Sequence, residues 1–107
     1  MQALLAVGGL TAVTTANDLL AMGAYDALEE AGVAVPEGMS VTGFNDMPLM
    51  DRVAPPLTAV RIQHATMGRL AAEALLGRLC GTEAPAKSVR LAPQLVVRAS
   101  TAAYASP

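Results

Sequence analysis

Residues 11–44 read TAVTTANDLLAMGAYDALEEAGVAVPEGMSVTGF, and this stretch decides the fold. A β-prone segment at Thr11–Thr15 leads into an amphipathic helix that Gly32 ends, and a second buried strand is predicted at Ser40–Phe44. The predicted apolar face, spaced i, i+4, i+7, i+8 and i+11, consists of Leu20, Ala24, Ala27, Leu28 and Ala31. Strand, helix and strand within about thirty residues form a βαβ unit, so we predict an α/β fold with parallel strands and a right-handed crossover.

Polar residues follow each of these two strands. Asn17 and Asp18 come after the first strand, and Asn45 and Asp46 come after the second. The carboxyl ends of parallel strands meet at one edge of a sheet, and ligands of open α/β sheets bind outside those ends. We therefore predict that this edge is the functional site.

The pair at the helix start also has a structural interpretation. An Asn or Asp there accepts hydrogen bonds from the free amides of the first turn and stabilises the helix by about 1 kcal/mol. We assign this capping role to Asp18. Because one cap is enough, the role of Asn17 is left open: it is either structural or a ligand contact. For a ligand contact, its amide offers both a hydrogen-bond donor and an acceptor.

The pair after the second strand is equally open. Asn45 and Asp46 precede Met-Pro and could form an Asx turn instead of a ligand site. Before them, we expect Gly43 to permit a close backbone approach or an unusual torsion, and Phe44 to pack in the core.

The segment NDMPLMDRVAPP at 45–56 contains three prolines and is predicted to be a long loop. It carries four large apolar side chains, which are Met47, Leu49, Met50 and Val53. Such side chains are unusual in a solvated loop. They either pack beneath it or cover a partner subunit.

The rest of the chain is predicted to contain a second long helix and three short strands. These elements are the strands Leu57–Ile62, Ser88–Leu91 and Gln94–Ala99 and a helix over Ala65–Leu79. The helix has an apolar stripe and ends before Gly81, and Glu83–Lys87 form a link. The Ala/Leu-rich start is interpreted as the tail of a helix that enters the first strand through Gly8-Gly9.

Composition limits the class of protein. Seven basic and nine acidic residues give a net charge of −2, so the chain should not hold DNA through its own surface. Hydrophobic residues make up 53% and charged residues 15%, which indicates surface that something outside the chain covers. No apolar run approaches the roughly 18 residues that span a bilayer, and no basic n-region opens the chain, so we predict neither a membrane segment nor a signal peptide.

Residues that could carry catalysis or bind a metal have no partner residues at a suitable spacing in the sequence. His64 has no second His, Cys or Asp at metal-ligand spacing. The single cysteine, Cys80, excludes an internal disulfide and fits a reducing compartment. No set of residues supplies a nucleophile, a base and an oxyanion donor. We therefore predict that the protein is not an enzyme and needs no cofactor or metal.

Linked motifs make residues 11–101 resemble the carboxyl-terminal part of LacI/GalR-family transcriptional repressors. The motifs are Ala16-Asn17-Asp18, Val35-Pro36, Ser40-Val41-x-Gly43-Phe44, Pro55-Pro56-Leu57-Thr58 and Leu95-Val96-Val97-Arg98-x-Ser100-Thr101. The resemblance implies a sensor of the periplasmic-binding-protein-like type I fold, with a three-layer Rossmann-like parallel sheet that is incomplete here. It assigns 1–62 and 88–107 to the second lobe, 63–82 to a helix that packs on a missing first lobe, and 83–87 to a link.

The resemblance also implies a function and site residues. Family members bind a small molecule, often a sugar or a nucleobase, between their two lobes, and this changes operator affinity. The Asn of the Ala-Asn-Asp motif contacts the ligand, which assigns Asn17 to the site. The family carries a Gly-Phe/Tyr-Asp-Asp motif at this point, and Asn45 stands in place of its first acid. This departure removes a negative charge and adds a hydrogen-bond donor. Asp46 matches the second acid, which is more often structural, and we include it with Asn17 and Asn45 in the predicted ligand-binding set.

Dimerisation and cellular location follow from the same resemblance. The implied dimer interface consists of Met22, Asp26, Met50, Arg52 and Val53. The chain is then part of a cytoplasmic, homodimeric repressor that binds a small effector, has no membrane partner and contacts DNA only through a missing amino-terminal domain. The alternatives are a periplasmic sugar-binding protein of the same fold, or a truncated fragment that is inactive alone. We expect a fragment to self-associate in order to cover its helix stripe.

Overall fold

The structure is a computed structural model that describes residues 1–82 and 88–104. The elements in chain order are α1 (Gln2–Val7), β1 (Ala12–Thr14), α2 (Asp18–Glu30), β2 (Ser40–Asn45), β3 (Thr58–Arg61), α3 (His64–Leu79) and β4 (Gln94–Val96). The predicted link Glu83–Lys87 lies outside the described residues. Both long helices, the helical start and the long loop after β2 are confirmed.

The chain divides into two compact units. The first combines Met1–Arg61 with Gln94–Pro107, and the second is Ile62–Pro93. Residues 88–93 thus group with α3, whereas the sequence-based boundary at 88 grouped them with the sheet. The assignment of these parts to two lobes stays a prediction.

The first unit contains a four-stranded sheet in the order β1-β2-β3-β4. β1 pairs with β2 in parallel, with Val13 opposite Val41, and β2 pairs with β3 in parallel, with Asn45 opposite Arg61. β4 is antiparallel to β3. The predicted βαβ unit and its parallel strands are confirmed, and the hand of its crossover stays a prediction.

The core lies between one face of this sheet and α2. Val41 and Ala59 on the strands and Ala21 and Leu28 on the helix are fully buried. Full burial of a leucine such as Leu28 contributes about 1.5–3 kcal/mol, so this contact fixes α2 on the sheet. Because β1 and β2 flank the helix in sequence, their carboxyl ends are held at the same edge.

The buried face of α2 differs from the predicted one. Leu20 is 56% exposed and Ala31 is exposed, while Ala21 is fully buried. The actual face consists of Asp18, Ala21, Ala24 and Leu28. Its first member is an acid, and a search for apolar periodicity passes over it, which explains the error.

Phe44 is 39% exposed, so the prediction that it packs in the core is wrong. Side chains alternate along a strand. Val41 and Gly43 face α2 and are buried, so Thr42 and Phe44 face the other side of the sheet. On that same side Leu95 is 63% exposed.

The second unit consists of α3 and the segment that returns beside it. No residue of α3 is buried. The predicted strand Ser88–Leu91 is wrong, because these residues pair with no strand in the described part of the chain. Val89 and Leu91 instead line a cavity of about 360 Å³ on the apolar side of α3 with Met67 and Leu70. The Gln63 side-chain amide donates to the carbonyl oxygen of Ala92 (3.1 Å) and ties the return segment to the helix start. No helix in the described parts of the chain is both long and apolar enough for a membrane crossing.

Candidate functional site

Asn17 caps α2. Its backbone is extended, and its Oδ1 accepts a hydrogen bond from the backbone N–H of Leu20 (2.9 Å). The capping role that the sequence analysis gave to Asp18 therefore belongs to Asn17. The side chain is half-buried, and its Nδ2 has no hydrogen-bond partner among the described residues, so the cap uses the acceptor and leaves the donor.

Asp18 makes a longer-range contact. It is fully buried, and its Oδ2 accepts a hydrogen bond from the backbone N–H of Met47 (2.6 Å). Its Oδ1 has no partner within the described residues and lies against Gly43, where an added Cβ would overlap it. The close approach predicted for Gly43 is confirmed, and the group that approaches is this carboxylate.

The chain turns sharply after β2. Asn45 has φ 105° and Asp46 has φ 57°, which are left-handed values that Asn and Asp tolerate better than most residues. Both residues are half-buried. Asn45 is opposite Arg61 in the parallel pairing of β2 with β3, so it lies at the carboxyl end of the sheet.

Asp46 is held by two arginines. Its side chain is 2% exposed, Arg98 Nη1 donates to Oδ1 (2.7 Å), and Arg61 Nη2 and Nε lie 2.6 and 2.7 Å from Oδ2. The hydrogen bond from Arg98 is the main cause that lowers the pKa of Asp46, and Arg61 adds to it against the opposing effect of burial. A carboxylate so occupied has almost no surface for a ligand, and this geometry fits the structural role of the second acid.

Sequence analysis gave no role to Arg98, Arg61 or Ser100. Arg98 also donates to the carbonyl oxygen of Leu57 (2.6 Å). Ser100 is fully buried, donates to the carbonyl oxygen of Val41 (2.6 Å) and accepts from the backbone N–H of Thr58 (2.8 Å). The sequence shows a charged residue and a hydroxyl residue, Arg98 and Ser100, just after the apolar run QLVV. Their hydrogen-bond partners lie 40 to 60 residues earlier in the chain, so the sequence alone does not indicate them.

Asn17 and Asn45 together form the amide edge, a name used here for these two residues. They are the only asparagines in the chain; Asn17 follows β1 and Asn45 is the last residue of β2, so both lie at the same end of two neighbouring parallel strands. The hydrogen bond from Met47 to Asp18 joins the two segments that carry them. Half-exposed amides with donors and acceptors are suited to ligand hydroxyl or carbonyl groups. Nowhere in residues 1–82 and 88–104 do three potential metal-ligating side chains come together.

The residues of the implied dimer interface differ in exposure. Asp26 and Arg52 are exposed, Met22 and Val53 are half-buried against the core, and Met50 is buried at 9% exposure within it. Of the two readings of the loop, packing beneath it is thus confirmed for Met50. Leu49, at φ 79° and 62% exposed, points outward.

Comparison with known proteins gives concordant similarities. The model of the periplasmic binding protein-like domain family matches residues 3–101. The HTH-type transcriptional regulator MalR of Streptomyces coelicolor is 46% identical over 92 residues, which are 86% of this chain and 27% of that protein. The lactose operon repressor of Rhizobium radiobacter is 38% identical, with coverage of 83% of this chain and 78% of that sequence. The chain spans about a quarter of the length of the first of these relatives.

A solved structure is also similar. The crystal structure of a LacI family transcriptional regulator from Enterococcus faecium, with bound ribose, superposes with a TM-score of 0.86 at 34% sequence identity. The match covers 94% of this chain and 37% of that one. The arrangement of strands and helices described above is therefore found in an experimental structure.

Proposed function

This chain belongs to the family of periplasmic binding protein-like domains found in LacI-type transcriptional regulators, and on that premise we propose that it is part of the effector-sensing domain of a repressor. The effector is a small sugar that hydrogen-bonds to Asn17 and Asn45. The reaction is binding and release, with no chemical step, so the protein is not an enzyme.

The observation that carries this proposal is the geometry of the amide edge. Asn17 is oriented by its cap, because Oδ1 is fixed on the N–H of Leu20 and Nδ2 is left to donate. Asn45 is set by the left-handed turn that ends β2. Sugars carry many hydroxyl groups, each of which both donates and accepts, and amides match that pattern without the desolvation cost of a full charge.

Asp46 acts in this proposal as a support and not as a ligand contact. Its ion pairs with Arg61 and Arg98, called the clamp below, stabilise the turn that presents Asn45.

The partners follow from the family. We propose a homodimer in the cytoplasm that forms through the exposed residues Asp26 and Arg52 with Met22 and Val53, and that Met50 supports this surface from beneath. Operator DNA would be bound by another domain, because this chain carries a net charge of −2.

Calorimetry on the folded chain tests the ligand class. Ribose, lactose and the nucleobase hypoxanthine are titrated separately into the chain. We expect one of the sugars to bind with a dissociation constant of about 1 mM, near −4 kcal/mol, because only part of a cleft is present. Saturable binding of the nucleobase alone, or no binding by either sugar, would contradict the proposal.

A further inference from the structure

We propose that Asp18 is a positioning residue for the amide edge, and that its buried carboxylate fastens the first turn of α2 to the turn after β2 and thereby fixes the arrangement of Asn17 relative to Asn45. The proposal deepens the proposed function and rests on it only for the claim that the two asparagines contact a ligand. The arrangement of the asparagines can be measured without any ligand.

The side chain of Asp18 reaches from the start of α2 to the turn after β2. Asp18 directly follows Asn17, and its Oδ2 accepts from the backbone N–H of Met47, two residues after Asn45. One side chain thus joins the two segments that carry the amides. The 2.6 Å bond has a carboxylate acceptor, and such charge-assisted bonds are about twice as strong as neutral ones.

Keeping an acid in this position has an energetic cost. Asp18 is 0% exposed, and its Oδ1 has no partner in the described part of the chain. A buried polar atom without a hydrogen bond is unfavourable, and an apolar side chain would avoid that cost. The charge of Asp18 contributes, after Asp46 and Asp51, to raising the pKa of Arg98, so the carboxylate belongs to the electrostatic environment of the clamp on Asp46.

Gly43 lies against the Asp18 carboxylate. This residue lies in the middle of a buried strand, where glycine weakens a sheet and leaves no side chain to pack. A Cβ at this position would overlap Asp18 Oδ1 and approach the Leu57 side chain at 2.6 Å. The missing side chain therefore makes room for the Asp18 carboxylate against the sheet.

Selective labelling provides a direct measurement. Because the chain has two asparagines, ¹⁵N-asparagine labelling gives one side-chain NH₂ signal pair for each. We compare the ligand-free spectra of the wild type, Asp18→Ala, Gly43→Ala and the control Glu30→Gln, which removes an exposed charge from the same helix. In Asp18→Ala and in Gly43→Ala, both NH₂ signal pairs should change chemical shift and report more mobile side chains. In Glu30→Gln, both pairs should keep their wild-type chemical shifts.

A conservative variant separates positioning from charge. Asp18→Asn retains an oxygen that can accept from the Met47 N–H, so the two original signal pairs should stay at their wild-type positions beside a third, new pair. In Asp18→Ala the hydrogen exchange of the Met47 N–H should rise by at least about tenfold relative to that of Val41, the lower end of the effect expected for one lost hydrogen bond to a charged group.

Unchanged asparagine signals in a folded Asp18→Ala or Gly43→Ala, or an equal rise in exchange at Met47 and Val41, would show a purely structural role and overturn the proposal. If neither variant folds, Asp18→Asn decides, because displaced asparagine signals there would overturn the proposal as well.

For a sugar that binds the wild type, Asp18→Ala should weaken binding about tenfold and Asp18→Asn less than about threefold. If no sugar binds the wild type, the proposed function fails while the ligand-free spectra still test the role of Asp18.

Discussion

Two substitutions at Asn17 separate its two roles. In Asn17→Asp, an oxygen remains to accept from the N–H of Leu20, while the Nδ2 donor is lost. In Asn17→Ala, both are lost. Capping accounts for about 1 kcal/mol between Asn and Ala and for only a few tenths between Asn and Asp. Loss of one neutral hydrogen bond to a ligand costs about 0.5–1.5 kcal/mol, or roughly 2- to 12-fold in affinity.

We therefore expect Asn17→Ala to lower the free energy of unfolding by about 1 kcal/mol and the Tm by several degrees, and Asn17→Asp to remain close to the wild type. Both variants should bind the sugar several-fold more weakly. Urea unfolding gives the stabilities, and the side-chain NH₂ signal of Asn45 reports binding in each variant. Wild-type affinity in Asn17→Asp would refute the ligand contact, and wild-type stability in Asn17→Ala would refute the cap.

Three further predictions concern the support of the site. Asp46→Asn should lower the free energy of unfolding by roughly 3 kcal/mol at about pH 7, because it leaves the Arg98 guanidinium without its buried partner. Arg98 lowers the pKa of Asp46 below 3.8 in the folded state, so the carboxylate stabilises the fold above that pH. The difference from the variant should shrink in urea titrations as the pH falls below the ordinary pKa of an aspartate, and a difference that is independent of pH would contradict the clamp. Ser100→Ala should cost about 1–3 kcal/mol by leaving the buried N–H of Thr58 without an acceptor, and a neutral effect in denaturant unfolding would argue against that contact. Phe44→Ala should cost less than about 2 kcal/mol, below the roughly 3–5 kcal/mol of a core phenylalanine, and a core-sized loss of stability would show that its exposed face is covered.

The sequence determined the βαβ unit because its signals are local. Gly32, with φ 67°, marks the end of the helical run, and the strands on either side of it are short and β-branched. Both asparagines were placed at the carboxyl edge by the same local reasoning. Apolar periodicity predicts the helix but not which of its sides faces the sheet. The buried side begins with Asp18, and no count of apolar residues includes an acid.

Contacts that are distant in sequence could not be predicted. Capping was assigned to the wrong member of the Asn17–Asp18 pair, because the sequence does not show that Met47 offers its N–H to Asp18 across 29 residues. The clamp on Asp46 joins residues that are 52 positions apart, and Arg98 is an ordinary strand-end residue until the sheet brings β3 and β4 together. Such pairs are set by strand order and register, which follow from the packing of the whole domain.

The most direct measurement is a sugar titration of the chain labelled with ¹⁵N only at its two asparagines. The side-chain NH₂ signals of Asn17 and Asn45 should move together and give the same dissociation constant. Movement of only one pair, or of neither pair at a concentration where calorimetry shows saturation, would contradict the claim that one ligand is bound by both amides.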